Sequence, residues 1–156
     1  METHLLAVGK LRPGYRAMCD DYLRRLRRYG RLVEREVREA QGAGSPALRR
    51  REESARLLDA APERALLVAL DRGGSAWTSE ELAHRLERWR AGGRPLALLI
   101  GGAFGLDPEL VRNAAARWSL GPLTLPHELA RVVVAEQWYR AWTILRGEPY
   151  HKGGAT

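Results

Sequence analysis

The chain has 156 residues, 45% hydrophobic and 29% charged, and 26 Lys plus Arg against 19 Asp plus Glu give it a formal charge of +7. That size suits one domain with a real core, and the composition is that of a globular chain rather than a disordered or fibrous one. Cys19 is the only cysteine, which excludes an internal disulfide and a cysteine zinc cluster, and the longest apolar runs, residues 65–70 and 96–100, are far too short for a membrane span.

In chain order, short apolar runs alternate with helical periodicities. Residues 5–8 form an apolar run closed by Gly9, and residues 13–29 place Tyr15, Met18, Tyr22 and Leu26 at helical spacing before Gly30. Residues 32–40 set Val33 and Val37 among charges, as a half-exposed strand does, and residues 42–46 make a flexible loop into a helix ending near Ala61. Residues 65–70 read as a buried strand and residues 71–75 as the turn after it. Thr78 or Ser79 then caps a helix whose first turn holds Glu80 and Glu81, favourable at the positive end of the helix dipole, and Gly92-Gly93 ends it near Ala91. Residues 96–100 are a fourth strand. Asp107 caps a short helix to Ala116 with Pro108 in its first position, and a long helix spans residues 128–145. Repeated β-α units predict a single α/β domain over residues 1–156, a mostly parallel sheet with helices on both faces.

The cations are almost all arginine, since Lys10 and Lys152 are the only lysines, and the excess is concentrated in residues 1–60. Guanidinium groups offer planar, bidentate donors to phosphate, so a polyanion such as RNA is an expected partner; the plainer reading is a chain that uses arginine wherever a solvated cation suffices. One cysteine, no signal-peptide pattern and no membrane span point to a reducing cytoplasm and no membrane partner.

The final helix carries apolar groups around most of its circumference, from Leu129, Val132, Val133 and Val134 to Trp138, Trp142 and Leu145. Such a helix needs cover on nearly every side, which predicts a C2 homodimer through part of it, the alternative being complete cover within one chain.

Three segments hold the candidate chemistry. Gly101-Gly102-Ala103-Phe104-Gly105 lies between a strand and a helix, where glycines either let backbone approach a ligand or simply make a tight turn. It fits neither the dinucleotide nor the phosphate-loop pattern. His127-Glu128-Leu129-Ala130-Arg131 begins like a zinc-protease motif but has Arg where the second ligand belongs, so no metal is expected and His127 is assigned to capping or packing. Arg140, Tyr150 and His151 could together bind a phosphate or base and take a proton from it, although a frayed tail would look the same.

Leu98-Leu-Ile-Gly-Gly102, Leu123-Thr-Leu-Pro-His127, Tyr139-Arg-Ala-Trp142 and Pro149-Tyr-His-Lys152, in this order and spacing, resemble the SPOUT superfamily, specifically the ribosomal RNA large subunit methyltransferase H family. The likeness covers the whole chain, with Leu5-Leu-Ala-Val-Gly9 matching the family's first strand and Tyr22-Leu-Arg-Arg25 its first helix. It implies a cytoplasmic homodimer that uses S-adenosylmethionine to methylate N3 of a pseudouridine in 23S rRNA. It also implies a C-terminal trefoil knot, which rules of chain connection would not suggest.

By that resemblance the cofactor lies against Leu70, Gly101 and the run Leu120, Gly121, Pro122, Leu123, Thr124 and Leu125, while Arg140, Tyr150 and His151 handle the substrate. His151 is the candidate base, with Tyr150 orienting it or stacking on the uracil ring and Arg140 balancing negative charge. A second subunit's basic N-terminal half is expected to add phosphate contacts. The substrate is free rRNA, a subunit or the assembled ribosome.

Phe104 stands where relatives often carry an acid and is expected to stack or pack, and Gly121-Pro122 replaces small polar residues in a way that stiffens its loop. Residues 153–156 run past the family's usual end and are expected to be disordered. Three alternatives stay open: a non-enzymatic dimeric module that binds the ribosome, a doubly wound nucleotide or flavin protein, and a SPOUT methyltransferase with another RNA target.

Overall fold

The computed structural model describes residues 1–152, so the disorder expected for residues 153–156 falls outside it. The elements are β1 (Thr3–Val8), α1 (Pro13–Leu26) continued by a 3-10 turn (Arg27–Tyr29), β2 (Leu32–Val37), α2 (Pro46–Ala60), β3 (Leu66–Ala76), α3 (Ser79–Ala91), β4 (Leu96–Ile100), α4 (Pro108–Asn113), β5 (Ala116–Ser119) and α5 (His127–Leu145). They form one sheet in the order β2-β1-β4-β3-β5, every pair parallel, so the expected α/β architecture is what the chain adopts.

Strand alternation sorts the core into two layers. Leu5, Ala7, Val68, Leu98 and Ile100 face α1, α3 and α5, whereas Leu6, Val8, Ala69, Ala97 and Leu99 face Leu57 of α2 and Leu110 and Val111 of α4. β1 and β4 are buried along their whole length, as central parallel strands covered on both sides must be. Cys19 lies in the first layer, where burial pushes its thiol up to about 11 and leaves it unreactive.

Two sequence expectations are corrected at the sheet edge. Residues 71–75 are not a turn that ends β3: the strand runs on to Ala76, and a bulge between Leu70 and Ser75 lets both residues pair with Trp118. A Cβ on Gly74 would lie 2.6 Å from the Arg117 carbonyl oxygen, so this approach requires glycine. The short helix expected to reach Ala116 stops at Asn113, where Ala114 turns extended, and residues 116–119 form a fifth strand that periodicity did not indicate. Asp107 does occupy the N-cap position of α4, but its side chain makes no cap bond.

α5 packs between α1 and α3 over the sheet, and the chain itself buries Val134, Ala135, Trp138, Ala141 and Trp142. The apolar circumference therefore does not by itself call for a second subunit. A charged girdle ties α5 to the other end of the chain. Arg131, 1% exposed, donates to the Gly9 carbonyl at 3.0 Å, to Glu34 at 3.0 Å and to Glu36 at 2.6 Å, and Arg16 reaches the same two carboxylates. Nearby, the backbone N–H and side-chain Nε of Arg12 donate to Glu128 at 2.7 and 2.8 Å, which holds the Glu128 carboxyl below the usual range.

Replacing Arg131 by methionine is expected to cost about 3 kcal/mol, read as a lowered denaturant midpoint at unchanged slope. The value sits at the low end for a broken buried ion pair because Arg16 continues to face Glu34 and Glu36.

Candidate active site

The carboxyl ends of β4 and β5, with the start of the bulge in β3, open into a cleft of about 490 Å³. A parallel sheet places loops from neighbouring strands together at this edge, and the volume falls in the range of small-molecule sites. Leu70 ends the unbulged part of β3, Gly101 follows β4, and Leu120 follows β5; all three line the cleft. Gly121, Leu123, Thr124 and Leu125 join them, whereas Pro122 is not among the lining residues. Of the eight positions assigned to the cofactor, the structure thus gathers all but Pro122.

The glycine run makes a tight turn and lines the cleft. Gly105 donates its N–H to the Gly102 carbonyl at 3.0 Å and sits at φ +80°, which closes a tight turn. A Cβ on Gly101 would come within 2.6 Å of the Gly105 carbonyl carbon, so the wall of the cleft is backbone at this point. Across from it, Gly121 adopts φ +113°, and its N–H donates to Ser119 Oγ at 3.1 Å. Leu123 is 76% exposed at the tip of that loop. Of the two roles expected for His127, capping or packing, capping is not seen: it is the first residue of α5, makes no side-chain cap bond and lines the cleft half-buried. Asp71 and Arg72, read from sequence as turn residues, also line it because the bulge in β3 brings them there.

A second group of side chains lies farther along α5. Arg140 Nη1 donates to His151 Nδ1 at 3.1 Å, and His151 Nε2 is 2.7 Å from Glu80 at the start of α3. Arginine only donates, so Nδ1 accepts, and the ring proton resides on Nε2 and is donated to Glu80. That bond lowers the Glu80 carboxyl pKa. The Tyr150 hydroxyl donates to Glu136 at 2.7 Å, and Arg140 pairs with the same carboxylate at 2.8 Å. Burial, reinforced by the bond to Glu136, pushes the Tyr150 phenol well above its usual range, so it stays protonated. Its ring meets Tyr139 edge-on at 4.7 Å and receives the Arg140 guanidinium 4.8 Å from its centroid.

Arg140, Tyr150 and His151 are therefore brought together, and the tail as far as His151 is anchored. Sequence reasoning missed Glu136 and Glu80. The spacing of Glu136 and Arg140 on one helix face was a legible signal for the first, whereas Glu80 is 71 residues from His151 and had none. None of the three predicted substrate residues lines the cleft. Ala130 lines it, and Arg140 is ten residues further along α5, about 15 Å down the axis.

A parallel sheet with helices on both faces and a glycine-walled cleft at its strand ends defines an α/β protein with a small-molecule-sized cleft. Residues 1–151 match the family model described as "Predicted SPOUT methyltransferase". The chain is 51% identical over 154 residues to the Ribosomal RNA large subunit methyltransferase H of Rubrobacter xylanophilus, with 94% of this chain and 96% of that protein covered. The protein of the same name from Thioalkalivibrio sulfidiphilus is 43% identical over 155 residues, covering 97% and 99%. The chain belongs to the SPOUT methyltransferases and, among them, to the ribosomal RNA large subunit methyltransferase H family, as its motifs suggested; it is an enzyme of that class.

Solved structures share the fold at much lower identity. One from work on the 2-OH methylation of C/U34 on tRNA has a TM-score of 0.54 at 21% identity, covering 94% of this chain and 98% of that one. A probable methylase family protein from Haemophilus influenzae Rd KW20 has a TM-score of 0.51 at 11% identity, covering 93% and 66%.

Proposed function

We propose that this chain methylates N3 of a pseudouridine in 23S rRNA with S-adenosylmethionine, as a cytoplasmic homodimer whose C-terminal part is threaded as a trefoil knot. The observation that carries the reading is the cleft itself: the bulge of β3 and the loops after β4 and β5 bring Leu70, Gly101 and residues 120–125 together, apart from Pro122. The donor set fits the cofactor. Leucines offer apolar cover for adenine, Gly101 and Gly121 leave backbone polar groups accessible, and Asp71 and Arg72 supply one charge of each sign for its ammonium and carboxylate. The knot is supported by the family and by the path of the chain, which leaves β5 at the sheet edge beyond β3 and returns as α5 between α1 and α3. Among the described residues no group of His, Cys, Asp and Glu could hold a metal ion, and no helix is long and apolar enough to cross a membrane.

Bound in this cleft, S-adenosylmethionine supplies an electrophilic methyl group on a cationic sulfur. The residues of the chain must align the acceptor nitrogen and remove its imide proton. Tyr150 cannot be the base, because its phenol is held protonated. His151 has one available lone pair, on Nδ1, and Arg140 occupies it. Proton transfer from N3 to Nδ1 therefore requires the Arg140 guanidinium to turn from the imidazole toward the substrate, where it balances the charge left on the ring. Glu80 holds the Nε2 proton and with it the tautomer.

Distance supports the homodimer. Reacting atoms must approach to about 3–3.5 Å, and about 15 Å of helix separates the cleft end of α5 from Arg140 in one chain. Two α5 helices antiparallel across a twofold axis bring the cleft of one subunit to the Arg140–Tyr150–His151 group of the other. A groove beside α5, lined by Met18, Tyr22, Val132 and Val133 together with the acids Asp21 and Glu136, and with Met18 46% exposed, offers a mixed apolar and charged surface for that contact.

Calorimetry with S-adenosylmethionine, followed by methyl transfer to free rRNA, ribosomal subunits and whole ribosomes, tests the reading. Binding with transfer to any of the three supports it; absence of cofactor binding would instead indicate a ribosome-binding module without catalysis. Affinity for rRNA is expected to fall steeply between about 50 and 200 mM salt if the arginine surface neutralises phosphates, and a flat dependence argues against that footprint.

A further inference from the structure

Phe104 is the only phenylalanine in the chain, and it is not in the core. It lines the cleft and is 44% exposed. The ring is contacted by a side chain that is itself held by hydrogen bonds. The Arg49 guanidinium of α2 lies 4.9 Å from the ring centroid. Arg49 is itself fixed: its Nε donates to Glu53 at 3.1 Å, and a longer contact of 3.4 Å reaches Glu39. Glu53, 1% exposed, also accepts the Ala40 N–H at 3.0 Å, so the support behind the ring reaches into the core. The loop bearing Phe104 is braced on both sides, by the Gly102–Gly105 turn and by Ser54 Oγ, which accepts the Asp107 N–H at 2.9 Å.

A hydrophobic ring left in water at a cleft rim, oriented by a cation anchored behind it, presents a flat surface ready for another flat group. Aromatic side chains and arginine planes are the usual partners of unstacked nucleobases, and stacking of this kind tolerates any base because each has a π-face. We propose that Phe104, with Arg49 fixed behind it, is the shelf on which a nucleobase of the RNA substrate stacks as it enters the cleft. The proposal rests on the reading of the chain as an RNA methyltransferase. Adenine of the cofactor is the other flat group available; the proposed function gives its cover to the loop of residues 120–125, on the same cleft as Phe104.

Phe104→Leu, which keeps apolar volume and loses the flat face, and Phe104→Tyr, which keeps the face, distinguish these outcomes. Phe104→Leu is expected to raise KM for rRNA about tenfold with kcat little changed and the calorimetric Kd for S-adenosylmethionine unchanged. Phe104→Tyr is expected to restore the wild-type KM, and both variants to melt with the wild type, since an exposed side chain is altered. An unchanged KM for rRNA in Phe104→Leu overturns the proposal. So does a weakened cofactor Kd with an unchanged KM for rRNA, which would assign the ring to adenine. A wild-type protein that binds cofactor but methylates no rRNA defeats the functional reading, and this shelf with it, before any variant is made.

Discussion

His151→Ala is expected to slow methyl transfer by a factor of about 10² to 10⁴ while leaving S-adenosylmethionine affinity at the wild-type level. The separation of the two effects is expected because His151 does not line the cleft of its own chain and, among the described residues, its ring nitrogens bond Arg140 and Glu80. Single-turnover rates on the best RNA substrate and calorimetry on the same preparation measure both. Normal turnover in the variant would remove His151 as the base. Glu80→Gln is a useful companion: it keeps a hydrogen-bond acceptor for Nε2, so it should lower the rate far less than loss of the imidazole.

Mixing two inactive variants should restore activity. In Gly101→Val the added side chain must displace the Gly105 backbone, since even a Cβ would lie 2.6 Å from its carbonyl carbon, and the cleft is expected to lose its cofactor. His151→Ala spares the cleft and removes the base. If each site combines the cleft of one subunit with the tail of the other, a heterodimer of the two variants contains one site free of both lesions. Random reassortment then gives about a quarter of wild-type activity from parents that are each nearly inactive. Were cleft and tail of one chain to act together, every site in the mixture would carry a lesion and no activity would return. The experiment thus tests the dimer and the composition of its site together.

How much of this was readable from residues alone differed by element. β1 and β4 announced themselves because central parallel strands are apolar without interruption, and α3 because Thr78 is one of the two cap residues its start offered; that Glu81 completes a capping box with it is seen in the structure. β5 was hidden by its length of four residues and by Arg117 and Ser119, which give it no apolar run. The extension of β3 was hidden by Asp71, Gly73, Gly74 and Ser75, residues that signal a turn and here make a bulge. The apolar circumference of α5 was read correctly, but its cover comes from α1 and α3, and no local pattern says which elements will flank a helix. In the site, the glycine wall could be found because only a glycine tolerates such approach. The grouping of Glu136, Glu80 and Arg140 around the tail depends on contacts between distant parts of the chain.

Those distant contacts bear on how the molecule is made. Arg12 bonds Glu128, Gly9 accepts from Arg131, and Tyr29 bonds Glu148, pairs separated by 116, 122 and 119 positions, while β1 pairs with β4 rather than with a hairpin neighbour on that side. Nascent segments of the N-terminal half have α2 over one face of β1 and β2 but lack native cover on the other until α5 leaves the ribosome. Folding of such a topology is governed by late, long-range closure and is slow for its size, so the domain becomes both cooperative and intolerant of C-terminal truncation.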